Sequence, residues 1–130
     1  MNIFISHSWT YGSQYDRLVE FLDQENLDYR NYSVPQDDPV HTNGTDKQLR
    51  AAIDAKIRQC SCVVILAGVY ATYSKWINIE IEIAQSYEKP IVAVEYWGSQ
   101  HTSLVVKNAA DRIVGWNAKS VVNAIKEVCR

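Results

Sequence analysis

Residues 75–88 read Lys-Trp-Ile-Asn-Ile-Glu-Ile-Glu-Ile-Ala-Gln-Ser-Tyr-Glu, and the conformation of this stretch decides the fold. Isoleucine alternates with a polar residue from Ile77 to Ile83, which on periodicity alone is typical of a half-buried strand. The apolar runs on either side, Cys62–Ala67 and Pro90–Tyr96, have the composition of buried parallel strands. Two such strands are joined by a long crossover that is usually helical. We therefore predict a helix over Lys75–Glu88.

The rest of the chain alternates short apolar runs with longer amphipathic ones. This pattern predicts a single flavodoxin-like α/β domain over residues 1–130, with a five-stranded, mainly parallel sheet and helices on both faces. The expected strand order is 2-1-3-4-5. The predicted strands are Asn2–Ser6, Tyr29–Ser33, Cys62–Ala67, Pro90–Tyr96 and Arg112–Trp116; the other predicted helices are Tyr15–Gln24, Asp46–Arg58 with Asp46 as N-cap, and Ala118–Val128 capped by Asn117.

Size and charge exclude several classes of protein. A chain of 130 residues with 47% apolar residues forms one domain without needing metals or disulfides. Its formal net charge of −2 argues against a general nucleic-acid binder, which usually has a basic excess. The longest apolar stretch, Val63 to Val69, is too short to span a bilayer, so we expect no membrane insertion.

The cysteines and the N-terminus predict a cytoplasmic protein. The chain begins directly on a strand pattern, without the basic and apolar segments of a signal peptide. The chain has an odd number of cysteines without metal-type spacing: Cys60, Cys62 and Cys129. We therefore expect reduced thiols. His41 and His101 have no ligand partners at metal spacing, and we expect no metal site.

A ligand site is expected at the carboxyl ends of the strands, where the strand order reverses. In the order 2-1-3-4-5, this crevice lies between the first and third strands. Its lining would come from Ser6-His7-Ser8-Trp9 and from Ala67-Gly68-Val69-Tyr70. Polar and aromatic side chains there suit a nucleotide or a sugar. The alternative is that Trp9 and Tyr70 only cover the edge of the core.

The common nucleotide motifs are missing from these turns. The chain has neither a glycine-rich dinucleotide fingerprint after the first strand nor a phosphate loop ending in Gly-Lys-Ser/Thr. A phospho-receiver domain would need acidic residues where His7-Ser8 and Ala67-Gly68 stand. ATP hydrolysis, Rossmann-type dehydrogenation and phospho-acceptance are therefore disfavoured.

A combination of short motifs over nearly the whole chain resembles a TIR domain, and in particular the TIR-like proteins of bacterial Thoeris anti-phage defence. The motifs are Phe4-Ile5-Ser6 with the turn His7-Ser8-Trp9, Pro35 in a long loop, Val64-Ile65-Leu66 closed by Ala67-Gly68-x-Tyr70, Trp76-Ile77-x-x-Glu80-Ile81, and the late segment from Ala110 to Asn117. The resemblance implies an enzyme that takes NAD+ as its substrate, with no other cofactor. It releases nicotinamide and makes an ADP-ribose-derived signal that activates a separate effector protein. Assembly into a homo-oligomer is also in keeping with the family.

The resemblance also implies roles for individual residues. The catalytic glutamate of the family lies four residues after a tryptophan, which here gives Trp76 and Glu80. On a helix these two share a face, whereas Glu82 lies about 200° further round than Glu80. The expected site comprises Glu80 as the catalytic residue and His7, Ser8, Trp9, Gly68, Tyr70 and Trp76 as substrate-binding residues. The arginine common in the first turn of TIR enzymes is missing here, so Ser8 and backbone N–H groups are the alternative contacts to the diphosphate.

One carboxylate is enough for this chemistry. Ordinary glycosidases need two acidic groups because the leaving alkoxide must be protonated. In NAD+ the nicotinamide ring is a cationic pyridinium, and it departs as a neutral molecule. No general acid is therefore required. Other interpretations of the sequence are a non-catalytic TIR module that signals by assembly and a sensor that binds a small nucleotide. If residues 75–88 were a strand, Glu80 and Glu82 would instead be ordinary solvated acids.

Overall fold

The computed structural model describes residues 1–6, 12–33, 45–67, 75–95 and 104–129. Its centre is a five-stranded sheet in the order β2-β1-β3-β4-β5, with every neighbouring pair parallel. This confirms the predicted class and strand order. The strands are β1 (Asn2–Ser6), β2 (Arg30–Asn31), β3 (Cys62–Ala67), β4 (Ile91–Glu95) and β5 (Arg112–Val114). β2 and β5 at the two edges are shorter than predicted, whereas β1 and β3 have their predicted bounds.

The helices described are α1 (Gly12–Gln24), α2 (Asp46–Arg58), α3 (Lys75–Ser86), α4 (Leu104–Ala109) and α5 (Ala118–Val128). The segment with alternating isoleucines is helical. This confirms the helix predicted from the topology, and not the strand that the alternation alone would indicate. Three of the isoleucines (Ile77, Ile81 and Ile83) are buried. Ile77 and Ile81, four residues apart, lie on one face of the helix, and Ile83 borders that face on the side of Glu80, three residues before it. No described helix is both long and apolar enough to cross a bilayer.

Two apolar layers hold the helices against the sheet. Phe4, Val63 and Ile65 point to one face of the strands and pack with α2, α3 and α4. Ile3 and Val64 point to the opposite face and pack with α1 and α5. Consecutive residues of a strand alternate between its two faces, so the position of a residue in β1 determines which layer it joins.

The helix ends follow ordinary capping chemistry, with one correction to the prediction. Thr45, not Asp46, is the N-cap of α2. Its side chain accepts from the Gln48 N–H, while the Gln48 side chain accepts from the Thr45 N–H. This reciprocal capping box satisfies two backbone donors that a helix start otherwise leaves unpaired. Asn117 caps α5 as predicted, its Oδ1 accepting from the Ser120 N–H at 3.1 Å.

The cysteines do not all remain reduced. Cys62 at the start of β3 and Cys129 at the end of α5 form a disulfide, with their Cα atoms 5.3 Å apart. Cys60 is free and buried. The expectation of three thiols is wrong because it rested on local spacing, whereas the fold brings together two cysteines 67 positions apart. Both belong to the layer that contains α1 and α5.

Candidate functional site

Glu80 is an acidic residue buried in the layer between the sheet and α3. Only 6% of the residue is exposed, and it stands on the same helix as the core residues Ile77, Ile81 and Ile83. Glu82 faces the opposite way. Its carboxylate lies 3.0 Å from the Arg50 guanidinium, and its side chain is 67% exposed. The predicted separation of the two glutamates is therefore confirmed.

Burial changes the acid–base behaviour of Glu80. Removal from water raises the pKa of its carboxyl group from 4.5 to about 7, because the charged form loses its hydration. The hydroxyl of Ser6 offsets part of this rise. A group that changes charge near neutral pH inside a fold is more typical of a functional site than of a structural one.

The place of Ser6 in the sheet puts its side chain on the face that the helix of Glu80 covers. It is the last residue of β1 and only 1% exposed. Ser6 lies two residues after Phe4, so its side chain points to the same face of the sheet. This is the face that α3 covers. Ser6 pairs with Ile65 of β3, so it lies at the carboxyl end of the first and third strands. This is the end of the sheet where the sequence predicts the crevice.

The two side chains carry unused hydrogen-bonding capacity. Within the part of the chain that the structure describes, neither Ser6 Oγ nor Glu80 Oε2 has a hydrogen-bond partner of good geometry. Buried polar atoms are nearly always paired in native structures, and the exceptions call for a ligand or a strained function. Together they offer a hydroxyl that can donate or accept and a carboxyl oxygen that can accept. A ligand with hydroxyl groups, such as a ribose, suits this pair.

Most predicted substrate contacts lie outside the described residues. These are His7, Ser8, Trp9, Gly68 and Tyr70. The backbone of Trp76 belongs to α3, one turn before Glu80, but its side chain also lies outside what the structure describes. In the described ranges no cluster of three His, Cys, Asp or Glu side chains could hold a metal ion.

The contact between Ser6 and Glu80 was not predicted from sequence. Ser6 was placed in the crevice lining, but the expected polar contacts were assigned to the three residues after it. The available signal was the alternation along β1, which puts Ser6 on the face of Phe4 and hence under a crossover helix. Which residue of that helix meets Ser6 depends on packing, which no local pattern reports.

A depression opens at the amino end of β4, away from Ser6 and the carboxyl end of β1. Its Asp111 carboxylate accepts a hydrogen bond from the Ile91 N–H at 2.8 Å and so fastens β4 to the start of β5. The lining residues are Gln85, Glu88, Lys89, Pro90, Ile91, Ala109 and Asp111. Ligands of parallel α/β sheets bind at the opposite, carboxyl end of the strands, so we assign Asp111 a structural role.

Comparison with known families agrees with the motifs. Residues 4–101 match the family described as "Thoeris protein ThsB, TIR-like domain". The chain belongs to this family. The match runs from within β1 to beyond β4 and therefore includes both Ser6 and Glu80. The TIR-like resemblance inferred from the motifs is thus confirmed. No curated protein sequence matches the chain.

The fold of the TIR-like domain also occurs in a solved structure of a nucleotide-processing protein. The structure of Clostridium botulinum CMP N-glycosidase, BcmB, superposes with a TM-score of 0.60 and 16% sequence identity. The alignment covers 97% of this chain and 99% of that chain. At this identity the similarity shows the fold alone.

Proposed function

We propose that this TIR-like domain cleaves the nicotinamide–ribose bond of NAD+ and passes the ADP-ribose unit to an acceptor. The product would be a signal in anti-phage defence that activates a separate effector protein. The observation that carries the proposal is the burial of Glu80 beside Ser6 at the carboxyl end of β1, with an oxygen of each left unpaired. The family membership and the motif from Trp76 to Glu80 support the same activity.

The proposed reaction needs Glu80 as a carboxylate. The C1′–N bond breaks, and both bonding electrons pass to the pyridinium ring, which leaves as neutral nicotinamide. Positive charge develops on C1′ and the ring oxygen of the ribose, and a fixed carboxylate in a site of low dielectric stabilises it. The acceptor then adds to C1′ and loses a proton. Water would yield ADP-ribose, an internal hydroxyl or adenine nitrogen a cyclic product, and an amino acid a conjugate.

The pKa of Glu80 fits this role in the presence of substrate. With a pKa raised to about 7, the empty site holds a mixture of acid and carboxylate at neutral pH. The pyridinium of NAD+ carries a positive charge, and a positive charge nearby favours the carboxylate. Binding of NAD+ would therefore promote the ionised form at the point where it is needed.

Two other interpretations assign Glu80 no chemistry. A TIR module that acts by assembly gains nothing from a buried, unpaired carboxyl group, which costs stability unless it is neutralised. A nucleotide sensor would use the same crevice without turnover. The fold shared with the CMP N-glycosidase is compatible with N-glycosidic cleavage, and it makes CMP the appropriate comparison substrate.

The deciding experiment follows nicotinamide release from NAD+ by liquid chromatography, with the nucleotide product identified by mass spectrometry. The protein is assayed after purification from resting cells and from cells infected with phage, with CMP as a parallel substrate. Nicotinamide release that disappears in Glu80→Gln and persists in Glu82→Gln would support the proposal. Cytosine release from CMP without nicotinamide release would make CMP, and not NAD+, the substrate. Nucleotide binding with neither reaction would favour the sensor, and no binding at all the assembly module.

A further inference from the structure

Ser6 occupies a position where the fold does not need a hydroxyl. Its strand neighbours Phe4 and Ile5 are apolar and buried, and Ser6 itself is 1% exposed. A hydroxyl moved from water into such a place without a partner costs free energy, and an alanine or valine would avoid that cost. Within the described ranges its Oγ has no hydrogen-bond partner of good geometry.

A second buried serine provides the contrast. Ser33 follows β2, and its Oγ accepts from the Ile5 N–H at 3.1 Å and donates to Asn31 Oδ1 at 2.6 Å. Its hydroxyl therefore joins the end of β2 to β1 and has an evident structural function. Ser6 has no comparable bonds, and the polar group beside it is the Glu80 carboxyl.

We propose that Ser6 is a positioning residue, whose hydroxyl donates a hydrogen bond to the Glu80 carboxylate and keeps it directed at the bound sugar. This inference rests on the proposed function for the identity of the sugar, but not for the contact itself. A hydroxyl has one hydrogen to donate and two lone pairs to accept. After donating to Glu80, Ser6 Oγ can still accept from a hydroxyl group of the ligand.

The charged groups on the elements around Glu80 do not explain its ionisation. Arg50 of α2 is paired with Glu82 on the solvent side of the interface between α2 and α3. Asp54, also of α2, accepts a hydrogen bond from the Tyr87 hydroxyl at 2.7 Å, and Lys107 of α4 is exposed. Among the described residues, burial and the Ser6 hydroxyl are the influences on the pKa of Glu80, and only Ser6 favours the charged form.

The test combines a direct titration with kinetics. The proteins are the wild type, Ser6→Ala, Ser6→Thr and Ser33→Ala, each labelled with 13C at the glutamate carboxyl carbon. The Glu80 signal is identified by its absence from Glu80→Gln. Ser6→Ala should raise the pKa of Glu80 by about one pH unit, because a hydrogen bond to the charged form is lost. Ser6→Thr keeps the hydroxyl and should return the pKa towards the wild-type value.

Kinetics should follow the same order. In Ser6→Ala the acid limb of the kcat profile for NAD+ should move to higher pH by the same amount. At pH values below the pKa of Glu80, kcat should be about tenfold lower than in the wild type, with KM changed much less. Ser33→Ala removes a buried serine that already has partners, so it should lower the melting temperature and leave both the titration and the pH profile unchanged.

The outcomes separate this inference from the proposed function. An unchanged Glu80 titration in a folded Ser6→Ala protein would overturn the role of Ser6, whatever the enzyme does. A Ser33→Ala protein that shifts the titration as much would overturn it too, since the effect would then be a general loosening of the fold. If NAD+ is not cleaved but Ser6→Ala still shifts the pKa of Glu80, the proposed function fails and the positioning role stands.

Discussion

Glu80 and Glu82 lie two residues apart on α3, yet Glu80 is buried against the sheet near Ser6, whereas Glu82 is exposed and paired with Arg50. The helical period produces this separation, since a step of two residues turns the side chain through about 200°. The pair is therefore a built-in comparison, in which the same chemical group on the same helix differs only in its surroundings.

The first prediction concerns turnover. Glu80→Gln keeps the shape of the side chain and removes the charge that would stabilise the transition state, so kcat for NAD+ should fall by about 10²–10³-fold. Glu82→Gln removes one partner of an exposed ion pair, which contributes about 0–1 kcal/mol to folding, and kcat should stay near the wild-type value. Steady-state rates of nicotinamide release would check this. Equal losses in the two variants would contradict the assignment of Glu80.

The second prediction concerns stability against pH. The pKa of Glu80 rises from 4.5 in the unfolded chain to about 7 in the fold, so between these values the folded state binds more protons than the unfolded state. Its contribution to stability is therefore full below about pH 4.5, falls as the pH rises to about 7, and changes little above that. The loss amounts to about 3 kcal/mol for this shift.

Urea unfolding at pH 5 and pH 8 would measure this effect. The free energy of unfolding of the wild type should decline over this interval relative to Glu80→Gln, which has no group to ionise at that position. Glu82→Gln is the control for removing a carboxylate from the same helix. A wild type and a Glu80→Gln variant with parallel pH dependences would mean that the Glu80 carboxyl is hydrated.

The third prediction concerns the disulfide. Closing a loop of 67 residues restricts the unfolded chain, and the chain-entropy model gives about 4 kcal/mol for a loop of this size. Cys129→Ser should therefore unfold at lower urea concentration than the wild type, and reductant should no longer affect it. Cys60→Ala removes the free buried thiol and should retain the response to reductant. A wild type that is insensitive to reductant would show that this bond does not contribute to stability.

The fourth prediction concerns Trp76, which begins the motif that ends at Glu80. A large aromatic residue on the first turn of α3, one turn before Glu80, should pack beside the sheet as well as border the crevice. Trp76→Ala should then lower both the melting temperature and kcat, with a stability loss of about 3–5 kcal/mol if the ring is buried. Loss of kcat at an unchanged melting temperature would make Trp76 a substrate-facing residue only.

Much of the fold followed from the sequence because each strong pattern agreed with the topology. β1, β3, α2 and α5 have their predicted bounds, and α3 was identified because parallel strands need a crossover. The missed helix, α4, has only six residues, and Leu104 at its start is 70% exposed, so its apolar pattern is too short to indicate a helix.

The site was predictable to a lesser extent for a physical reason. The burial of Glu80 follows from the helical period, and the carboxyl end of β1 follows from the rule for parallel sheets. The contact with Ser6 and the Cys62–Cys129 bond join residues distant in sequence. Their pairing depends on how α3 and α5 settle on the two faces of the sheet, which the composition of neither segment specifies.

The bond between Cys62 and Cys129 makes residues 62–129 a closed covalent ring. Glu80 lies inside this ring, whereas Ser6 lies on the open arm that precedes it. A protease that cut the backbone once anywhere within the ring would leave both pieces attached. The nicked protein would migrate as a single species on a denaturing gel until a reductant was added, and only then would the piece that begins at Met1 separate from the piece that carries Cys129.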